Sequence, residues 1–195
     1  MLLSILIPAL TDRLSLSTPL LESVGRQSSD NADAELIVLL DNRRLALKDK
    51  RNELLSLATG KFVSWIDDDD TVSPDYVDSV VAAINEKPNA DVICFDQMAQ
   101  IEDGQKFKVS TSLHYENESA EKVNDMWKDI KRKPWHWCAW NAVLAKKCAF
   151  VDAPDEDWLW IQQMLPQAKT QHCISKVLHY YRYRESVSTF STKSK

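Results

Sequence analysis

Four consecutive carboxylates, Asp67-Asp68-Asp69-Asp70, directly follow an apolar run at 62–66. Adjacent acids repel one another and attract a cation. On an extended backbone Asp67 and Asp69 would project to the same side. Two hard oxygen ligands with the remaining positions open to phosphate suit Mg²⁺ or Mn²⁺, and an ion there would neutralise a diphosphate leaving group. The plainer reading, a solvated acidic turn, does not explain why four acids cap a strand of buried type. A second acidic group, Glu156-Asp157, precedes Trp158-Leu159-Trp160-Ile161. Taken alone it reads as acids favoured by a helix N-terminus.

Other side chains could contact a ligand. Trp135, Trp137 and Trp140 are candidates for stacking on a sugar or base, with core packing expected to claim at least one of them. His136 could touch an acceptor, although a surface position is the simpler expectation. Arg182 and Arg184 could grip a diphosphate as forked donors, and His179 could serve as a late metal ligand. Lys128, Lys131, Arg132 and Lys133 read as cations near the end of a helix at 120–130. Their functional alternative is a phosphate-bearing acceptor: a lipid phosphate, a teichoic-type polymer or DNA.

The elements that must position these residues alternate in the first half. An apolar run at 2–7 predicts a buried strand, and Thr18-Pro19 opens a helix to about Gln27. Strands follow at 35–40, 62–66 and 91–95, with helices at 45–58 and from Ser73-Pro74 to Glu86. Gly60 sits where a helix C-terminal cap belongs. Strands apolar throughout and separated by helices imply a parallel sheet covered on both faces, with ligands bound beyond the strands' carboxyl ends. Asp41 and the aspartate run both fall at that edge. The second half carries six of the seven tryptophans and shorter, mixed elements.

The chain has 195 residues, 44% apolar and 27% charged, the profile of one globular domain of ordinary size. Its net charge of −5 gives no global basic field for nucleic acid or an anionic membrane. No stretch approaches the ~20 apolar residues that span a bilayer. Cys94, Cys138, Cys148 and Cys173 form no C-x-x-C pair, which argues against a zinc site and for reduced core thiols in a cytoplasmic protein.

Asp67 to Thr71 also fits the D-x-D-x-T motif of haloacid dehalogenase-type phosphatases, with Asp67 as nucleophile and Asp69 as acid/base. That family usually opens with the motif, whereas here two strand–helix units precede it. A nucleotidyltransferase would need a glycine-rich phosphate loop that the chain lacks, and a catalytically inactive sugar-nucleotide binder is a further alternative.

The wider pattern resembles glycosyltransferase family 2. It comprises Ser4-Ile5-Leu6-Ile7-Pro8, Glu35-Leu36-Ile37-Val38-Leu39-Leu40-Asp41, and the segment from Arg51-Asn52 through Gly60 and Trp65-Ile66 to Asp70. Glu156-Asp157 resembles the family's E-D motif, and His179-Tyr180-Tyr181-Arg182-Tyr183-Arg184 through Ser188 its closing Y-x-Y-R segment. The motifs keep the family's order over nearly the whole chain. The chain departs from the pattern at Leu10 and Leu40, where a tyrosine and an aspartate are frequent, and at Lys48 and Leu54, where glycines are frequent.

The resemblance implies a three-layer α/β/α GT-A fold with a mainly parallel sheet in a single domain, 1–195. Residues 1–100 would bind nucleotide-sugar and metal, residues 101–190 the acceptor, and 191–195 would form a flexible tail. It also implies inverting transfer from a nucleotide-diphosphate sugar, UDP favoured, to a hydroxyl of a glycan, polymer, lipid-linked acceptor or modified DNA base. Pro8, Ala9, Asp41, Arg51, Asp67, Asp68 and Arg182 would contact the donor. Asp69, with Asp67 and His179, would hold Mn²⁺ or Mg²⁺. Trp135, Trp137 and Trp140 would face the acceptor, and Asp157, with Glu156 beside it, would act as general base.

Overall fold

The computed structural model describes residues 1–182. The expectations for Tyr183, Arg184, Ser188 and the tail 191–195 lie outside the described residues. The apolar run at the start forms β1 (Leu3–Leu10), whose residues up to Ala9 are buried. A tight 3-10 turn, Thr11–Arg13, leads into α1 (Leu14–Asp30). Helix α1 starts earlier than Thr18-Pro19 suggested, so Pro19 lies inside it. Pro19 has no N–H to donate, so the helix forfeits one backbone bond there. Next come β2 (Ala34–Asp41), α2 (Leu47–Leu57), β3 (Phe62–Trp65), β4 (Thr71–Val72), α3 (Tyr76–Glu86) and β5 (Val92–Gln100).

The second half begins with β6 (Lys106–Thr111). A helix expected at 120–130 is replaced by a hairpin of β7 (Lys122–Val123) and β8 (Met126–Trp127), followed by β9 (Ile130–Arg132). Asn124 and Asp125 turn that hairpin with positive φ of 50° and 63°. A two-residue loop of this conformation matches the twist of paired strands, and Asn and Asp tolerate it best among residues with a side chain. Then come β10 (Ala139–Asn141), α4 (Ala142–Ala145), α5 (Glu156–Met164) and β11 (Gln171–Arg182).

Among the described residues the main sheet has nine strands, with the order β2-β1-β3-β10-β5-β11-β4 and with β6 and β9 running off β5. The long pairings β1–β2 and β5–β11 are parallel, as is β1–β3, while β10 enters antiparallel between β3 and β5. The sheet is therefore mixed and mainly parallel, a three-layer α/β/α arrangement. Its core continues into the second half. Trp65 packs edge-on against Phe150 and Trp160 at 5.1 and 6.0 Å, and those two rings stack at 4.7 Å.

Two local details seat the strand ends. Gly60 does not cap α2: a side chain there would meet the Ser4 backbone nitrogen at 2.6 Å, so glycine lets two chain segments touch. Beside it, Glu35 accepts hydrogen bonds from Ser4 Oγ at 2.6 Å and from the Thr59 backbone N–H at 2.7 Å. Of the cysteines, Cys94, Cys138 and Cys148 are buried, but Cys173 is exposed.

Candidate active site

The carboxyl ends of β1 and β3 meet the start of α5 and the loop before β10 around a cavity of about 500 Å³. Its wall includes Pro8, Arg13, Lys50, Arg51, Asp67–Asp70, Arg132, Trp135, His136, Trp137, Glu156, Asp157 and Arg182. Residues far apart in sequence are brought together because parallel β1 and β3 end at one edge of the sheet.

The aspartates do not continue an extended strand. Asp70 N–H donates to the Asp67 carbonyl at 3.1 Å, which closes a turn and sends the four side chains to different partners. Asp67 accepts from Arg51 at 2.9 Å, and His136 Nε2 lies 3.5 Å away. Asp68 accepts from the Leu10 backbone N–H at 3.0 Å and pairs with Arg13 at 2.9 Å, and Arg13 also binds Asp69. Asp70 faces His179 Nε2 at 3.2 Å. The expectation that Asp67 and Asp69 share one side is thus corrected, because a turn rotates successive side chains and a strand alternates them.

Burial in this crowd raises the pKa of Asp68 and Asp70. Asp69 is pushed up to about 7 by burial and by the charges of Asp67 and Asp70, with Arg13 opposing. Burial also works against Asp67, but the buried Arg51 guanidinium and His136 hold its carboxyl well below the usual range. Arg51 completes the cluster with Glu156 at 2.9 Å and lies over the Trp65 and Phe150 rings.

His136 was expected at the surface and is instead buried, 7% exposed. Its ring spans two carboxylates, with Nδ1 3.1 Å from Asp157 and Nε2 toward Asp67. Burial disfavours its charge, yet the bonds to Asp157 and Asp67 raise its pKa to about 9. At neutral pH it is an imidazolium held between the two carboxylates. Asp157 Oδ2 also accepts from Trp135 Nε1 at 3.0 Å, and its Oδ1 from its neighbour's backbone N–H, that of Trp158, at 2.7 Å. Burial opposes these bonds, but His136 and Arg51 bring Asp157 down to about 2, so it is ionised at neutral pH. A carboxylate has about four acceptor positions. One on Oδ1 remains.

Several expected residues fall elsewhere. Trp140 is fully buried and donates from Nε1 to the Trp135 carbonyl at 2.8 Å; it belongs to the core and not to the cavity wall. Ala9 is buried, and its carbonyl accepts from Lys50 Nζ at 3.2 Å. Asp41 stands beside the cavity, bound to Lys50 and to the Arg44 and Leu45 backbone N–H groups at 2.8 and 3.0 Å. His179 is 1% exposed, lies flat on Trp137 and shares Nδ1 with Gln97 at 3.0 Å, and its Nε2 faces Asp70. Arg182 lines the cavity and its backbone N–H reaches Asp70 at 3.3 Å. Sequence reasoning missed Arg13 and Lys50. The signal it had was two cations placed just after a strand end and just before Arg51.

The carboxylate oxygens of Asp67 and Asp69 are donors of the class that hard divalent ions take. Among the described residues no three His, Cys, Asp or Glu side chains converge into a complete metal site. Mg²⁺ and similar ions commonly take one or two carboxylates and complete their shell with phosphate and water. The Asp69 carboxyl is driven up by burial and by the charges of Asp67 and Asp70, strain that a cation at this place would relieve.

No curated protein matches the chain. Solved structures do. S. aureus TarS 1-349 in complex with UDP-GlcNAc matches at TM-score 0.72 and 18% identity, over 98% of this chain and 61% of that one. The same protein in complex with UDP matches at TM-score 0.66 and 18% identity, over 94% of this chain and 61% of that one. A197 from STIV matches at TM-score 0.54 and 15% identity, over 94% and 87% of the two chains. The chain therefore spans about three fifths of the length of the TarS structures, and it shares their GT-A fold. The family model described as "Glycosyl transferase family 2" matches residues 17–141, more than half of the sequence. With the strand-end carboxylates and the Glu156-Asp157 pair already in one cavity, the conclusion is direct: the chain belongs to glycosyl transferase family 2.

Proposed function

We propose that the chain transfers a sugar from a nucleotide-diphosphate donor, a UDP-sugar favoured, to an acceptor hydroxyl with inversion at the anomeric carbon. The observation that carries this reading is one cavity in which the Asp67–Asp70 turn and Asp157 are tied together through His136. The UDP and UDP-GlcNAc complexes of TarS support the choice of nucleotide. Residues 1–100 would form the donor half and residues 101–190 the acceptor half of one domain. The cytoplasmic location we favour rests on the cysteine usage.

In this mechanism the acceptor oxygen bonds to the anomeric carbon as the bond to the diphosphate oxygen breaks. Asp157 accepts the hydroxyl proton on its remaining Oδ1 position, and the nucleoside diphosphate departs. Imidazolium His136, Trp135 and the Trp158 N–H fix the carboxylate's orientation, which proximity catalysis requires. They also keep it a weak base that stays ionised and ready. Asp69, assisted by Asp67, would hold Mn²⁺ or Mg²⁺, which supplies charge neutralisation for the leaving diphosphate. Arg51 keeps Asp67 and Glu156 together from beneath, and Pro8, Asp68 and Arg182 border the donor space. Trp135 and Trp137 would border the acceptor.

The phosphatase reading fares worse. A nucleophilic Asp67 would need a free oxygen, and both of its oxygens face cations, Arg51 and His136. The test is thermal unfolding of the full chain with UDP, with and without Mn²⁺. UDP at a hundredfold excess over its Kd should add about 2.7 kcal/mol only when Mn²⁺ is present. Asp69→Ala should erase the metal-dependent part. Equally tight UDP binding by wild type without metal would remove the ion site, and no binding of any nucleoside diphosphate would remove the donor assignment.

A further inference from the structure

Among the described residues, four cations of the cavity wall are matched to acids, and Arg182, for which no ion pair forms, is exposed. Arg13 serves Asp68 and Asp69, Lys50 serves Asp41, Arg51 serves Asp67 and Glu156, and Arg43 at the rim serves Asp12. Arg132 differs. It lines the same cavity, no described carboxylate forms an ion pair with it, and its Nε is buried without a hydrogen-bond partner. Its guanidinium lies 3.7 Å above the Trp135 ring, and Trp135 stacks on Trp158 at 4.7 Å and 13°. The cation thus rests over one aromatic ring that is itself stacked on a second.

An unpaired polar group in such a place costs free energy, and the cation–π contact offsets only part of it. What is missing is an oxyanion, which the guanidinium fork would bind through two parallel N–H bonds. The position decides whose oxyanion. Trp135 carries Arg132 on its face and donates its indole N–H to Asp157, so Arg132 stands one indole from the carboxylate that receives the acceptor proton. The cations nearest the aspartate turn, Arg13 and Arg51, belong to the other side.

We propose that Arg132 holds an oxyanion carried by the acceptor, so that the acceptor is an acidic hydroxyl compound, a phosphate or a carboxylate, and not a neutral sugar. This rests on Asp157 marking the acceptor side. Lys131 and Lys133 flank Arg132 on and after β9, where their charge would attract such an acceptor from solution.

The experiment is calorimetric titration of the full chain with glycerol 3-phosphate, glycerate and glycerol, each with and without UDP and Mn²⁺. At least one of the two acids should bind about tenfold or more tightly than glycerol, with or without UDP. Whichever acid binds more tightly names the oxyanion. Arg132→Met should weaken that acid about tenfold or more and leave UDP binding unchanged, and Arg132→Lys should recover part of the loss with the fold kept. Failure of both acids to bind, equal affinity in Arg132→Met, or competition between the acid and UDP would overturn the proposal. Absence of UDP binding would sink the donor assignment alone, because the acid titrations without UDP still decide the role of Arg132.

Discussion

The two sides of the cavity are built by different physics. On the aspartate side, buried acids are balanced by buried cations: Arg51, 3% exposed, holds Asp67 and Glu156, and Lys50, also 3% exposed, holds Asp41. On the Asp157 side, flat rings do the positioning, with Arg132, Trp135 and Trp158 in a stack and one indole N–H aimed at the carboxylate. Ion clusters fix a fold sharply because a missing partner leaves a buried charge. Aromatic stacks are worth less individually and leave no buried charge when a partner is lost. The first side is thus tuned for rigidity more than the second.

That contrast can be broken at its strongest point first. Asp157→Asn should lower turnover by about 10² to 10⁴-fold, the range for a lost general base, while UDP binding stays near wild type. Unchanged turnover in a steady-state assay would remove Asp157 from the chemistry. Arg51→Met should instead act on the fold and cost about 3–5 kcal/mol in a urea titration, because Asp67 and Glu156 would be left without their buried partner. A loss below about 1 kcal/mol would show that the ion cluster does not support the fold, and the contrast between the sides would fail.

The smallest effect lies behind the cavity, at Glu35. Burial works against its charge, but hydrogen bonds from Ser4, Thr59 and Gly60 hold its carboxyl below the ordinary value of 4.5. A depressed folded-state pKa contributes stability that is present above the unfolded value and disappears as pH falls through the folded one. Glu35→Gln should therefore cost about 1 kcal/mol at pH 7, and the difference from wild type should shrink as acid titrates the carboxyl. A difference that stays constant from neutral to acid pH would show that this carboxylate's charge is not what ties β2 to β1.

Much of the aspartate side could be read from the chain. The apolar runs of β1 and β3 announce buried parallel strands, the equally apolar β2 lies half-exposed at the sheet's edge, and the aspartates announce themselves by following β3. Glu156 and Asp157 were visible as an acidic pair ahead of tryptophans. The turn at Asp67–Asp70 was not visible, because an acidic run has no period to distinguish strand from turn. Nor was the hairpin at Asn124-Asp125, where a few polar residues at helical spacing conceal the dipeptide that reverses the chain. His136 read as a surface residue because a histidine carries no mark of burial in its own neighbourhood. Its burial follows from two acids, one 69 and one 21 positions away along the chain.

By itself the sequence determined which segments are strands and helices in the first half, that their acids collect at one sheet edge, and which family the chain joins. These follow from local rules of periodicity and from side chains that announce their chemistry. Only the tertiary structure decided the pairing. Arg13 met Asp69 across 56 positions, Lys50 met Asp41 at a strand end, His136 bridged two carboxylates, and Arg132 was left without an acid. Charge interactions depend on distance and on how much water is excluded, and both are fixed when β1, β3 and β5 are laid side by side and the second half folds over their ends.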